Sequence, residues 1–189
     1  MWYVIQVLKG REDAMVELIG RVVSADILEE VFSPKYSTEI KVRGAWQRVE
    51  RDLLPGYLIA ITDAPIELEQ QLLKIQEFAR VLHQGDTVVP LAGEEIEVIS
   101  AFTSEGKRVV PMSCGFKVGE RVVVTDGPLV GRELLIKDFN RRKSIAELEV
   151  DFCGRKKRMR VGLALLSQID DAIAKRAEMY KDEALRSAK

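Results

Sequence analysis

Histidine, cysteine and clustered cations are the residues of this chain with chemistry to offer, and their spacing decides which chemistry. The single histidine among 189 residues, His83, sits in Arg80-Val81-Leu82-His83-Gln84 with no serine or cysteine within ten positions. A Ser–His–Asp or Cys–His system would have to bring its nucleophile from elsewhere in the fold, and no nucleophile-elbow sequence suggests one. Cys114 and Cys153 are too few and too far apart for a disulfide framework or a zinc site. The thirteen glycines are scattered and form neither a P-loop nor a dinucleotide-binding signature. Carboxylates are plentiful, but a catalytic acid–base pair needs a pocket that spacing alone does not mark. The residue set argues against an enzyme, and no metal or cofactor is expected.

The cations are the stronger signal. The formal charge of −1 conceals an asymmetry, since residues 1–104 carry 10 Lys+Arg against 17 Asp+Glu and residues 105–189 carry 19 against 13. Such a split points to two domains with different partners, and a basic half makes nucleic acid the first guess. Within 116–168, 12 Lys+Arg face 7 Asp+Glu, gathered in two clusters. One is Lys137 with Asn140-Arg141-Arg142-Lys143. The other is Arg155-Lys156-Lys157-Arg158 with Arg160, where strand alternation puts Lys156, Arg158 and Arg160 on one face. Several guanidinium groups on one surface suit phosphates and guanine edges. A solvated basic surface is the plainer account.

The elements that must position these groups follow from periodicity. With 47% apolar and 31% charged residues the chain can pack a core, and no apolar run approaches the ~18 residues of a membrane span. The opening MWYVIQVLKGRED reads as a strand without a basic leader, so no signal peptide and a cytoplasmic location are expected. Met15, Leu18, Ile19 and Val22 recur as one helical face. Strands are expected over 27–32 and 54–61, and a hairpin over 39–53 around Arg43-Gly44. Helices are expected over 65–76, with proline in its first turn, and over 94–102. Residues 104–114, small, polar and proline-bearing, read as a linker.

Beyond it the texture is all-β. Val122 and Val124 alternate, Thr125-Asp126-Gly127-Pro128 turns the chain, and Leu134 with Ile136 reads as a strand. Ala146, Leu148, Val150 and Phe152 alternate with Glu147, Glu149 and Asp151, as Met159, Val161 and Leu163 do with Arg158, Arg160 and Gly162. Several short strands in so small a span predict a closed barrel. Ile169, Ala172, Ile173, Ala177, Tyr180 and Ala184 predict an amphipathic terminal helix. The fold class is α+β: an antiparallel sheet with helices (1–104), a linker (105–115), a small β-barrel (116–168) and a helix (169–189).

Trp2-Tyr3-Val4-Ile5-Gln6-Val7, Gly10-Arg11-Glu12 and Leu54-Pro55-Gly56-Tyr57-Leu58-Ile59 resemble the amino-terminal (NGN) domain of the NusG family of transcription elongation factors. Val118-Gly119-Glu120-Arg121-Val122, Asp126-Gly127-Pro128-Leu129 and Phe152-Cys153-Gly154-Arg155 resemble that family's KOW domain. Each motif is weak alone; together, in order, they cover residues 2 to 166. The resemblance implies an SH3-like barrel for the KOW domain and a first domain that binds the clamp helices of RNA polymerase. That binding favours an elongating conformation over a paused one, without covalent chemistry. Carried over by position, the polymerase pocket is Val4, Leu54, Pro55, Tyr57, Ile59 and Ile96. These six would otherwise simply make core.

Two departures matter. Leu134 stands where the KOW pattern usually has glycine, and Cys153 stands where housekeeping members carry an aromatic that meets a ribosomal protein and the Rho terminator. Contact with those two proteins is therefore doubtful here. A thiolate at Cys153 would have the nearby Arg155 to favour it, and a small apolar role is the simpler reading. The Gly127-Pro128-Leu129 motif and the basic 140–143 segment are most similar to the LoaP branch of specialised antiterminators. That likeness implies that Lys137, Asn140, Arg141, Arg142, Lys143, Arg155, Lys156, Lys157, Arg158 and Arg160 hold a nascent RNA hairpin. The alternative is a general elongation and termination factor whose barrel binds proteins.

Overall fold

A computed structural model describes residues 1–102, 108–118 and 121–166. The terminal helix expected at 169–189 lies outside the described residues. Contacts group the chain into two units that cut across sequence order. The first holds Met1–Lys35, Glu50–Val109 and Val150–Met159. The second holds Tyr36–Val49, Val110–Glu149 and, within the described residues, 160–166.

In the first unit, β1 (Trp2–Val7), β2 (Glu30–Phe32), β5 (Tyr57–Ile61) and β6 (Ala79–Val81) form an antiparallel sheet in the order β2-β5-β1-β6. Residues Tyr3, Ile5 and Val7 share one face with Leu58 and Ala60. That face packs against Met15 and Ile19 of α1 (Glu12–Val22) and Leu68 and Leu72 of α2 (Pro65–Leu72), all buried. The expected helical stripe is thus present, although Val22 ends exposed. Helix α2 stops a turn before the predicted Gln76. Lys74 and Ile75 donate to the carbonyls three residues back, which tightens the last turn and turns Ile75 toward the core. The strand predicted at 27–32 begins only at Glu30, because the amides of Ile27 and Leu28 both turn back to the Ser24 carbonyl. Short strands β7 (His83–Gln84) and β8 (Thr87–Val88) pair ahead of α3 (Gly93–Phe102).

The second unit holds residues 36–49 of the hairpin of β3 (Lys35–Val42) and β4 (Ala45–Asp52). Arg43 (φ 49°) and Gly44 (φ 88°) form its two-residue turn, as their sequence predicts. Strand β9 (Val109–Val110) extends this sheet in the order β4-β3-β9. A five-stranded sheet follows, in the order β11-β10-β14-β13-β12, with β10 (Ser113–Val118), β11 (Arg121–Asp126), β12 (Ile136–Asn140), β13 (Ile145–Phe152) and β14 (Arg155–Leu166). Strand β10 runs antiparallel to β11 and parallel to β14.

Two expectations shift. The end of the 104–114 segment is strand rather than linker: Ser113 is fully buried, and its hydroxyl accepts the Leu129 amide at 3.2 Å. Leu134 lies in a 3-10 turn (Glu133–Leu135) and is 94% exposed, so the strand begins only at Ile136. The alternation at 146–152 appears as expected, with Ala146, Leu148, Val150 and Phe152 buried.

Candidate functional site

The sheet of the first unit has a second face. Register places Trp2, Val4 and Gln6 beside Ile61, Ile59 and Tyr57, with Phe32 next to Ile59. Of the six expected polymerase residues the register puts Val4, Tyr57 and Ile59 on this face, and the six lie at different depths. Val4, Leu54 and Ile59 are at most 2% exposed and belong to the interior. Tyr57 and Ile96 are half-buried, and Pro55 is exposed. Of the six, Tyr57, Ile96 and Pro55 present surface, while the other three are buried.

A buried carboxylate sets the entrance to this face. Glu12, in the first turn of α1, is 3% exposed and accepts the Gly56 amide at 2.7 Å. Gly56 adopts φ 86°, a conformation that favours glycine, and its carbonyl accepts the Val7 amide at 3.0 Å. The Gly10-Arg11-Glu12 and Leu54-Pro55-Gly56-Tyr57 segments are therefore coupled, and the coupling aims Tyr57 onto the second face.

Residues 150–159 lie on that ring. Phe152, 4% exposed, meets Tyr57 edge-on with centroids 6.1 Å apart. The Lys157 amine stands 3.5 Å from the Tyr57 centroid and 5.4 Å from that of Phe152. At the tip, Cys153 (φ 53°) and Gly154 (φ 69°) make a tight turn, and the Gly154 amide donates to Glu95 Oε1 at 3.4 Å. Glu95 Oε2 accepts the Ala92 amide at 2.8 Å, closing the start of α3. Burial pushes the Cys153 thiol up to about 11, the Glu95 carboxylate adds to the rise, and Lys157 offsets part of it. Cys153 is thus a neutral, partly buried thiol, as its small-apolar reading expected, and the opposing cation is Lys157. Burial also lowers the Lys157 amine, against the pull of Cys153.

The expected RNA residues divide between the units. In the second, Lys137, Asn140, Arg141, Arg142 and Lys143 are exposed. The 140–143 turn is held by the Lys143 amide on Asn140 Oδ1 at 3.1 Å. It is pinned from outside by Thr38, whose hydroxyl donates to the carbonyls of Lys143 (3.0 Å) and Ser144 (3.1 Å). Arg160 pairs with Glu147 at 2.9 Å across exposed surface. In the first unit, Arg155, Lys156 and Arg158 are exposed, with Lys156 on Asp151 at 2.9 Å. Exposed pairs of this kind are worth only ~0–1 kcal/mol. Lys157 alone turns away from solvent. Sequence reasoning did not single out Glu95 or the cations of the β3–β4 hairpin; Arg43-Gly44, a strong turn flanked by basic residues, was the available signal.

Comparison with known proteins agrees with these motifs. A family model described as "Transcription termination factor nusG" matches residues 1–100. The transcription termination/antitermination protein NusG of Campylobacter jejuni is 25% identical over 177 residues, covering 91% of this chain and 97% of that protein. The protein of the same name from Yersinia pestis is 26% identical over 162 residues, covering 82% and 88%. A structure titled "Domain interaction in Thermotoga maritima NusG" aligns with TM-score 0.49 and 18% identity over 85% of this chain and 92% of that one. Proteins of this kind are transcription factors rather than enzymes. The chain belongs to the NusG family.

Proposed function

We propose that this protein is a processive antiterminator that holds the clamp helices of RNA polymerase on the Tyr57 face and a nascent RNA hairpin on its basic KOW module. The observation that carries the first half is the arrangement of that face. Tyr57 is a half-buried ring on the sheet face that also carries buried Val4 and Ile59, with Leu54 buried and Pro55 and Ile96 presenting surface. An aromatic with a polar tip beside buried apolar side chains suits a partly wet interface with a helix. The ring already accepts an aromatic and an amine from its own chain, Phe152 and Lys157. A helix seated on Tyr57 takes their place.

The RNA half rests on the exposed Arg141, Arg142 and Lys143, held in a turn that Thr38 pins. In this reading 116–168 is the SH3-like KOW barrel, the protein is of the LoaP type, and it acts in the cytoplasm beside the operon it serves. The protein-binding alternative is favoured by one observation: Leu134 (94% exposed), Val130 and Val123 leave apolar side chains in water in this same unit. Polymerase pull-down with wild type and Tyr57→Ala, combined with a gel shift on leader RNA, tests the reading. Retention of polymerase by Tyr57→Ala at wild-type affinity overturns the first half. Equal binding of leader and scrambled RNA overturns the second in favour of the protein-binding barrel.

A further inference from the structure

Apart from Thr38, which pins the 140–143 turn, the β3–β4 hairpin of the second unit has no role in the function proposed above, and its exposed side chains have an unusual composition. Its two-residue turn sets Val42 opposite Ala45, and therefore Lys41 opposite Trp46 and Glu39 opposite Arg48. The Lys35–Asp52 ion pair at 2.9 Å, farther along the ribbon, agrees with this register. Lys41, Trp46 and Arg48 thus share one face, with Arg43 at the tip. All four are exposed, Trp46 to 52%. Among the described residues, Lys41, Arg43 and Arg48 make no ion pair, and Glu39 is the one acid in 36–49. Thr38 lies on the opposite face of the ribbon, where it clasps the basic 140–143 turn.

An indole left in water among three uncommitted cations has a specific use. A protein partner would want apolar surface around the tryptophan, but on its own face the neighbours are Arg48 along the strand and Lys41 across it. Single-stranded nucleic acid wants this composition: a flat ring on which one base stacks, with cations at phosphate spacing. Lys41 is three residues from Thr38, about 10 Å along the strand at ~3.3 Å per residue. A stacked single strand covers that distance in about three nucleotides at ~3.4 Å each.

We propose that the hairpin binds the single-stranded RNA flanking the RNA held at the 140–143 turn. Trp46 stacks on an unpaired base while Lys41, Arg43 and Arg48 neutralise the adjoining phosphates. This rests on the RNA-binding reading of the 140–143 turn for its choice of RNA, whereas the composition of the hairpin stands on its own.

The test uses the full chain with Trp2→Phe, so that Trp46 is the sole tryptophan reporting by fluorescence. Three RNA probes are titrated: an oligouridylate of about twelve nucleotides, a blunt stem-loop from the leader of the adjacent operon, and the same stem-loop with a single-stranded flank. Oligouridylate and the flanked stem-loop should quench Trp46, and the blunt stem-loop should not. Trp46→Ala should weaken the flanked RNA about tenfold, with Trp46→Phe recovering part of the loss. Three phosphates give a log–log salt slope of about −2 from the hairpin, and each of Lys41→Ala, Arg43→Ala and Arg48→Ala should reduce it by ~0.7. These side chains are exposed, so unchanged thermal unfolding shows that the variants remain folded.

If the blunt and flanked stem-loops bind alike through Arg142 and Trp46 stays unquenched, the hairpin proposal falls and the 140–143 reading stands. If oligouridylate quenches Trp46 but no stem-loop depends on Arg142, the hairpin proposal stands and that reading falls. Quenching by no RNA, together with stem-loop binding that does not depend on Arg142, overturns both. Equal affinity for the matching DNA oligonucleotide overturns the assignment to RNA.

Discussion

The Lys157 amine lies 3.5 Å from the centroid of the Tyr57 ring. By sequence the two belong to different expected sites, Lys157 to the RNA-binding cluster and Tyr57 to the polymerase pocket. A cation over a phenol face gains ~0.5–2 kcal/mol depending on how far it is desolvated. Lys157 is half-buried, and its amine is held below its ordinary value by that burial. It is therefore placed to serve the Tyr57 face rather than a phosphate.

Lys157→Ala should leave RNA affinity within twofold of wild type, while Arg142→Ala should lose ~1–3 kcal/mol if its guanidinium reads a base edge. Gel shifts with the leader stem-loop at fixed salt decide between them. Equal losses for the two variants would put Lys157 back on the RNA.

Tyr57→Ala should weaken polymerase binding by ~2 kcal/mol or more, about thirtyfold, because one aromatic anchor carries much of such an interface. Pull-down of polymerase with the purified variant measures it. Ile59→Asp is not an equivalent probe. Ile59 is fully buried, and a carboxylate there would lack any partner, so the variant should fail to fold before binding is at issue.

Cys153 should resist alkylation until the solution becomes strongly alkaline. With its thiol at about 11 instead of the ordinary 9.0, the iodoacetamide rate should reach half its plateau near pH 11. Lys157→Ala should move that midpoint higher, since its cation is the influence opposing the rise. The same shift has a stability consequence with a definite sign. Between pH 9 and 11 the unfolded chain has released a proton that the folded chain keeps, so stability falls with rising pH. The contribution is complete below pH 9 and lost through pH 11. Denaturant midpoints of wild type and Cys153→Ser across that window measure it.

Glu12→Ala should destabilise the protein by ~1–3 kcal/mol, because the buried Gly56 amide loses the carboxylate it donates to. Urea unfolding measures the loss. Glu12→Gln should recover part of it, since an amide oxygen can accept the same hydrogen bond.

What the sequence determined by itself is local. Alternation at 146–152, the helical stripe of Met15 and Ile19, the Arg43-Gly44 turn and the Asp126-Gly127-Pro128 turn all depend on residues within a few positions. They appear in the structure as periodicity and turn chemistry require. The family motifs were legible for a related reason. Glu12 and Gly56 are residue types that a short buried hydrogen bond and a positive φ demand, so they mark themselves in the chain.

Tertiary structure decided what each face meets. Periodicity places Val4 and Ile59 on the second face of a sheet but is silent on whether that face is exposed or buried. Both are buried, in a unit that also brings Phe152 from far along the chain onto the Tyr57 ring. A run of four cations at 155–158 looks uniform in sequence, yet Lys157 is the half-buried one and stands against the rings of Tyr57 and Phe152. Trp46, the one aromatic residue of its strand, is half in water. Burial is settled by partners distant in the chain, and no local pattern of side chains carries that information.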